Sequence, residues 1–186
     1  MAHETPRLSL IVGAILLALA GCQPIQQAAT TAQSAVQAQT TPTLSTTDAT
    51  FINTAGALGL AEVELGELAR TKASSPDVRR FAAQMVTDHT PANQQLAALA
   101  RSKQMTPPSS MDTAHQQVYQ QLQNTRGRAF DTLYMDGQVQ DHQQAAQLFQ
   151  TEAQNGTDPE VRAFAQQNLP KMQQHLAMAQ RLAPKR

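Results

Sequence analysis

The sequence predicts an all-α protein, a bundle of four long helices built as two helical hairpins, with a crossover that carries a short extra helix. The composition points to helices, because Ala, Gln and Leu dominate, aromatic residues make up 4% and Trp is absent. Four long segments repeat apolar residues at 3-4 spacing, and none shows sustained alternation. In addition, Ser75 to Ala82 matches Asp158 to Ala165 as an internal repeat at an offset of 83 residues.

The first hairpin follows from helix-start signals. A long helix is expected from Asp48 to about Ala73, with Thr47 or Asp48 as its N-cap. Ser75-Pro76-Asp77 then starts a second helix, because Ser is a good cap, Pro suits the first helical position and an acid stabilises the first turn. This helix is expected to run to about Gln104, with a kink at Pro91.

The crossover and the second hairpin follow in order. Pro107-Pro108 breaks the chain, and a short amphipathic helix is expected near residues 113 to 125. A third long helix covers residues 128 to 154 and ends at Asn155-Gly156. The last helix starts at Thr157-Asp158-Pro159-Glu160 and runs to about Leu182.

Each copy of the internal repeat joins two long helices by a tight turn, so each copy marks one helical hairpin. The longer connection, from Met105 to Gly127, therefore joins the two hairpins. Two hairpins with one crossover form the ferritin-like arrangement. An up-down-up-down bundle with an ornamented loop is an alternative that the sequence leaves open.

The N-terminus predicts a lipoprotein signal peptide over residues 1–21. Leu8 to Ala20 carry no charge; such a segment suits a signal-peptide core and is shorter than the roughly 20 residues of a membrane-spanning helix. Leu19-Ala20-Gly21-Cys22 resembles a lipobox, in which the Cys22 thiol takes up a diacylglyceryl group. The alternative, a buried hydrophobic helix with an incidental cysteine, agrees less well with the length, the position and these four residues.

Cys22 is the only cysteine of the chain, which excludes an intrachain disulfide, a thiolate zinc site and an iron–sulfur cluster. Several acyl chains on this residue would anchor the protein stably to a membrane. By resemblance to proteobacterial lipoproteins, Gln23 rather than Asp implies the periplasmic face of the outer membrane. Residues 22–47 lack charge and are rich in Gln, Thr and Ala, so they are expected to form a flexible tether to a domain over residues 48–184.

The charge balance excludes one class of function. The chain has 14 basic and 14 acidic residues and a net charge of zero. A neutral protein has no field that attracts phosphates, so nucleic-acid binding is not expected. Nothing in the composition indicates a protein partner or an oligomeric state.

Polar residues interrupt the apolar seams of all four long helices. Glu62 lies in the seam of the first helix, His89 in that of the second, and His175 in that of the fourth. His142 lies in the seam of the third, with Asp141 in the neighbouring row. Glu62 precedes the first hairpin turn by about 12 residues and His89 follows it by about 14, so both lie within roughly 3 Å of one level. His142 and His175 match less closely, and the four groups predict one site near the middle of the bundle.

Such a site suits a transition metal ion, since imidazole and carboxylate groups from facing helices can enclose zinc, iron, copper or manganese. The candidate ligands are Glu62, His89, His142 and His175. Asp88 and Asp141 each precede a histidine. Because neighbours on a helix point about 100° apart, each Asp is expected to support a histidine of another helix.

The alternative is a purely structural polar layer that fixes the helix register. In that case Glu62 and the Asp–His pairs satisfy one another, as isolated polar seams commonly do. The sequence favours this interpretation over metal binding. His115, in the crossover among Gln residues, is expected to be solvated. No nucleophile elbow, phosphate loop or zinc-protease helix is present, so no catalytic residue is assigned.

Several motifs resemble one known family. They are Ala61-Glu62-Val63-Glu64-Leu65-Gly66, Met85-Val86-Thr87-Asp88-His89, Phe130-Asp131 with Tyr134, Asp141-His142, Leu169-Pro170 and His175-Leu176-Ala177-Met178-Ala179. Together they are similar to the bacterial ferritin-like family DUF4142, a domain of unknown function, over nearly all of residues 48 to 183. The resemblance implies the fold and an envelope location, and no established reaction. The chain lacks the Glu-x-x-His motif of di-iron carboxylate proteins, so a ferritin-type oxidation centre is not expected.

Two functional hypotheses follow. The first is a non-enzymatic lipoprotein of the cell envelope, with a binding, stress or structural role. The second is a metal-binding or metal-dependent redox protein that uses the Glu and His cluster. The sequence favours the first, because no complete catalytic set is present.

Overall fold

The computed structural model describes residues 44–184, and from Leu44 onwards the chain forms one compact unit. This part of the chain contains helices and no strand. The helices are α1 (Thr46–Lys72), α2 (Pro76–Ser102), α3 (Thr113–Asn124), α4 (Gly127–Asn155) and α5 (Pro159–Leu182). Within the described range, every helix is too short or too polar to cross a membrane. The predicted signal peptide, the lipidation site Cys22 and nearly all of the predicted tether lie outside the described residues.

Contacts at the helix ends define the direction of α1 relative to α4. Helices α1 and α2 form one hairpin, α4 and α5 form the other, and α1 packs on α4. The Thr157 backbone N–H, in the turn after α4, donates to Asp48 at the start of α1 (2.9 Å). At the opposite end, the Ser74 N–H donates to Asp131 near the start of α4 (2.8 Å). Helices α1 and α4 are therefore antiparallel.

The same reasoning applies to α2 and α5, which also pack together. Lys103, directly after α2, forms ion pairs with Asp158 (2.8 Å) and Glu160 at the start of α5. These helices are antiparallel as well, so the four long helices run up, down, down and up. The crossover with α3 therefore returns along the bundle from one end to the other, which confirms the ferritin-like prediction and excludes the up-down-up-down alternative.

The helix starts agree with the predictions in two cases out of three. Ser75 caps α2 and Asp158 caps α5. Each of these residues directly precedes a proline, and its side chain accepts hydrogen bonds from two backbone N–H groups of the first helical turn. The prediction for α1 is wrong, because its N-cap is Ser45, whose hydroxyl accepts from the Asp48 N–H (3.1 Å) and donates to the Asp48 carboxylate (2.7 Å). Asp48 lies inside the first turn, where its carboxylate also binds the second hairpin.

Both internal prolines lie within unbroken helices. Helix α2 continues through Pro91, where a kink is expected, and α5 continues through Pro170. Gly127, at the start of α4, has a φ of +63°, a left-handed conformation that favours glycine.

The crossover is attached to the bundle where α3 ends. Leu122 is fully buried. The Lys72 ammonium, in the last turn of α1, donates to the carbonyls of Leu122 (2.9 Å) and Gln123, and it lies 5.5 Å from the centre of the Phe130 ring. A cation at a helix C-terminus satisfies carbonyls that have no partner within the helix.

The core consists of two apolar clusters separated by a polar layer. One cluster includes Phe81, Met85, Leu122, Phe130 and Tyr134, and the other includes Phe51, Ile52, Leu96, Phe149 and Phe164. On each long helix, a buried polar residue lies between residues of one cluster and residues of the other. These polar residues are Glu62 on α1, His89 on α2, Gln138 and His142 on α4, and His175 on α5. The layer is therefore the site predicted near the middle of the bundle.

Candidate metal centre

Three histidines from three helices meet inside the polar layer. His89, His142 and His175 are all buried, and their ring centres lie 5.2 to 5.7 Å apart in every pair. One ring nitrogen of each lies within 4.8 Å of the corresponding nitrogens of the other two. Nitrogens bound to one tetrahedral zinc ion lie about 3.4 Å apart, so small side-chain movements would suffice to bring them onto an ion.

Hydrogen bonds orient two of these rings. The His142 Nδ1–H donates to the Gln138 carbonyl (3.0 Å), which leaves the Nε2 lone pair free. His175 Nε2 lies 2.8 Å from an oxygen of Asp88 and donates to it, because a carboxylate only accepts. Nδ1 of His175 is therefore the nitrogen with a free lone pair.

No protein group satisfies the nitrogens that remain. His89 Nε2, His142 Nε2 and His175 Nδ1 are all buried without a hydrogen-bond partner in the described part of the chain. A buried polar atom without a partner costs about 1–3 kcal/mol, and three such nitrogens on neighbouring rings are an unusual arrangement. A shared metal ion would satisfy all three, so the residues present fit a transition metal.

The histidines are held in the form that binds metals. Burial, together with the neighbouring His142 and His175, lowers the pKa of His89 to about 3. Burial also lowers the pKa of His142. It lowers the pKa of His175 to about 4, although the hydrogen bond to Asp88 acts in the opposite direction. All three rings are therefore neutral at pH 7, as metal ligation requires.

Asp88 supports the site from the surface of the bundle. It accepts from His175 (2.8 Å), Lys171 (3.0 Å) and Gln84 (2.7 Å). Burial alone would raise its pKa, but these three hydrogen bonds lower it to about 2, so the carboxylate stays ionised. Asp88 contacts a histidine of another helix, the arrangement that helix geometry predicts, and such a partner orients a ligand ring and raises its basicity.

Glu62 lies beside the histidines but outside the group that could hold an ion. One of its oxygens is 3.6 Å from His142 Nδ1, the nitrogen that already donates to a carbonyl, and the other accepts from the Gln138 side chain (2.9 Å). Burial raises the pKa of Glu62 to about 8, with a further contribution from Asp141. The structure therefore places Glu62 as a neutral polar neighbour of His142, with the three histidines forming the ion-binding group by themselves.

Asp141 contacts a different histidine from those of the cluster. It lies 3.4 Å from His115 on α3, which also contacts Asp112 (2.8 Å). The hydrogen bond to Asp141 raises the pKa of His115 to about 9 against the effect of burial, and Asp112 adds to it. The expectation that His115 is solvated is wrong, since its side chain is 13% exposed and links the crossover to α4.

Gln138 is a site residue that the sequence pattern does not single out. Its side chain donates to Glu62, and its backbone carbonyl accepts from His142. Its position four residues before His142 places it on the same face of α4, which is a usable signal. The chain contains many Gln residues, however, so this one does not stand out.

The fold and the site define an all-α bundle with a buried cluster of three histidines. The family model of DUF4142, a domain of unknown function, matches residues 31–182. The chain therefore belongs to DUF4142, which confirms the resemblance seen in the sequence. A comparison with curated proteins finds no match.

Solved structures confirm the helical fold. A DUF305 fragment from Deinococcus radiodurans has a TM-score of 0.65 at 14% identity, covering 76% of this chain and 98% of that chain. CopM in its Cu(II)-bound form has a TM-score of 0.61 and in its silver-bound form 0.59. Both are 16% identical and cover 72% of this chain and 93% of that chain. At these identities the likeness shows the fold alone.

Proposed function

We propose that this chain is a lipid-anchored protein of the cell envelope, on the periplasmic face of the outer membrane, whose bundle binds a transition metal ion. The ligands are His89, His142 and His175. The observation that carries the metal proposal is the set of three buried ring nitrogens without protein partners. The copper- and silver-bound structures of CopM support it, because they show that a protein of this fold binds such ions.

The surrounding residues prepare the ligands for an ion. The Gln138 carbonyl and the Asp88 carboxylate each hold a ring N–H, so the opposite nitrogen of each ring presents its lone pair to the centre. Burial keeps the rings neutral, because it lowers their pKa values. A bound ion would supply a link between α2, α4 and α5, and it would stabilise the folded state because the unfolded chain lacks the assembled site.

The competing function is a structural polar layer without metal. Its support is a hydrogen-bond network of two separate parts, in which Gln138 joins Glu62 to His142 and Asp88 accepts from His175. That network leaves the three inward nitrogens unsatisfied. The two functions therefore differ in whether an ion is taken up, which can be measured directly.

Replacement of His142 or His89 by Gln is expected to abolish metal uptake and to leave the helical content largely unchanged. Gln keeps a polar side chain of similar reach, but its amide is a poor ligand for zinc or copper. Isothermal titration with zinc, copper and ferrous iron checks uptake, and thermal melts with and without each ion check stabilisation. His115→Gln is the matched control, because His115 lies outside the cluster, and it should bind metal like the wild type.

The same two measurements can also contradict metal binding. If no ion binds to the wild type above background and none raises its melting temperature, the layer is structural. In that case His142→Gln should change stability alone, by about 1–3 kcal/mol through an unmatched buried partner.

Replacement of Cys22 by Ser is expected to leave an uncleaved precursor without lipid, because serine lacks the thiol that accepts the diacylglyceryl group. Labelling with radioactive palmitate, detergent partitioning and separation of the two membranes measure this in cells. The wild type should be labelled and should fractionate with the outer membrane, as should the control Ser34→Ala. Normal processing and labelling of Cys22→Ser would refute the anchor.

A further inference from the structure

A small cavity lies inside the bundle against the histidine cluster. Its polar lining residues are Glu62, His89, Asn93, His142 and Asn168, and its apolar lining includes Leu58, Phe149 and Met172. It leaves about 20 Å³ for the centre of a water-sized molecule, which is room for about one such molecule. A ligand atom from its wall, or one small molecule, can therefore reach an ion held by the histidines.

Met172 is the sulfur-containing residue on the described wall of this cavity. It lies three residues before His175 on α5, so both side chains share one face of the helix, and both are buried. The internal repeat reinforces this placement, because the offset of 83 residues pairs Met172 with the ligand His89. The same offset relates Asp88 and Lys171, which form an ion pair across the two hairpins (3.0 Å).

Met85 provides a useful contrast. It lies four residues before His89 on α2 and is fully buried. It packs in the other apolar cluster, with Phe81 and Tyr134, and it does not line the cavity. The chain thus holds two buried methionines one helical turn from a candidate ligand, and one of them borders the site.

The donor atoms around this point carry no formal charge. The three imidazoles are neutral ligands, and Glu62, which also lines the cavity, accepts a hydrogen bond from Gln138 and is held in its neutral form by burial, which raises its pKa. The Asp88 carboxylate, which holds His175, is already paired with Lys171. A buried charge without a counter-ion is costly, and a divalent ion brings twice the charge of a monovalent one. Thioether ligands also favour Cu(I) over zinc.

We infer that this site selects soft monovalent cations, Cu(I) and Ag(I), over Zn(II), and that the thioether of Met172 determines this preference. The inference rests on the proposed function, since it concerns the same three histidines. Met172 contributes the fourth donor from the wall of the cavity that His89 and His142 also line. Zinc, which prefers harder ligands and brings a second positive charge, binds more weakly.

The test compares Met172→Leu with Met85→Leu. Both variants replace a buried methionine by a residue of similar volume, a change that cores tolerate. The full chain is used in detergent with Cys22→Ser throughout, so that no thiol competes for silver. Ag(I) and Zn(II) affinities are measured by competition titration. The Cys22→Ser parent should bind Ag(I) about tenfold or more tightly than Zn(II). Met172→Leu should weaken the binding of Ag(I) by about tenfold and leave that of Zn(II) nearly unchanged. Met85→Leu should change neither affinity.

A second measurement keeps the test independent of the variant's folding. In the Cys22→Ser protein with both methionines intact and ¹³C-labelled methionine methyl groups, Ag(I) should shift the methyl resonance of Met172 strongly and that of Met85 little. Failure of both ions to bind would overturn the proposed function. Zinc binding as tight as silver binding, or an unchanged Met172 resonance, would overturn this inference and leave the proposed metal site standing.

Discussion

Replacement of Asp48 by Ala is expected to lower the free energy of unfolding by about 3–5 kcal/mol, because it removes a buried charged acceptor from several donors at once. Asp48 is 0% exposed. It accepts from the backbone N–H groups of Thr157 (2.9 Å) and Asp158 (3.2 Å) and from the Ser45 hydroxyl (2.7 Å). Alanine would leave these donors without an acceptor and would release the start of α1 from the second hairpin. Urea denaturation followed by circular dichroism measures the loss.

The pH dependence of this contribution has a definite sign. Burial alone would raise the pKa of Asp48, but hydrogen bonds from Ser45 and Thr157 lower it below its usual value of 3.8. A group whose pKa is lower in the folded state stabilises above its unfolded value and loses that effect as the pH falls. The difference between wild type and Asp48→Ala should therefore shrink below pH 4.

The matched control is Asp77→Ala. Asp77 also lies in the first turn of its helix, but its side chain is exposed and forms an i,i+3 pair with Arg80. Exposed pairs of this kind contribute at most about 1 kcal/mol. If Asp48→Ala costs no more than Asp77→Ala, the contact between the start of α1 and the second hairpin turn has little energetic weight.

Replacement of Glu62 by Gln is expected to stabilise the protein increasingly as the pH rises. The free energy of unfolding of Glu62→Gln, minus that of the wild type, should increase by on the order of 3 kcal/mol between pH 5 and pH 7. Burial, with a further contribution from Asp141, raises the pKa of Glu62 from 4.5 to about 8. Between these values the folded protein retains a proton that the unfolded chain has released. The stability of the wild type therefore falls with rising pH by about 1.4 kcal/mol per unit from this group, whereas Gln does not titrate.

The histidines act in the opposite direction, so the comparison must be made at each pH. Because burial lowers the pKa values of His89 and His175, their effect is to raise stability as the pH increases from about 4 towards 6.5. This effect is common to both proteins and cancels in the difference. Urea denaturation at pH 5, 6 and 7 gives the curve, with the exposed Glu64→Gln as control. A difference that stays constant across this range would contradict a neutral Glu62.

The sequence was sufficient for the fold because its signals are local. Ser75 and Asp158 each precede a proline and start a helix, and the repeat around them identifies the two hairpins. The N-cap of α1 differs from the prediction for a non-local reason. Asp48 is a good capping residue by type, but the turn after α4 takes up its carboxylate, which leaves the cap to Ser45.

The sequence predicts the height of the site along the bundle better than it predicts which side chains are the ligands. Periodicity placed His89, His142 and His175 in one layer, because helical rise determines height along a bundle. Periodicity does not show which nitrogen of His142 makes the hydrogen bond to the Gln138 carbonyl. It therefore predicts Glu62 as a ligand, although Glu62 lies beside that hydrogen-bonded nitrogen (3.6 Å). The position of His115 depends on how the crossover docks on α4, a long-range contact that no local pattern reports.

The course of the crossover has a kinetic consequence. His89 belongs to the first hairpin, and His142 and His175 belong to the second. Neither hairpin alone assembles the three nitrogens, so the cluster exists only after both have docked, late in the acquisition of the native structure. An ion bound by the cluster would stabilise the two hairpins in their docked arrangement. It would prolong the lifetime of the native protein by slowing the separation of the hairpins, and it would do little to speed their formation.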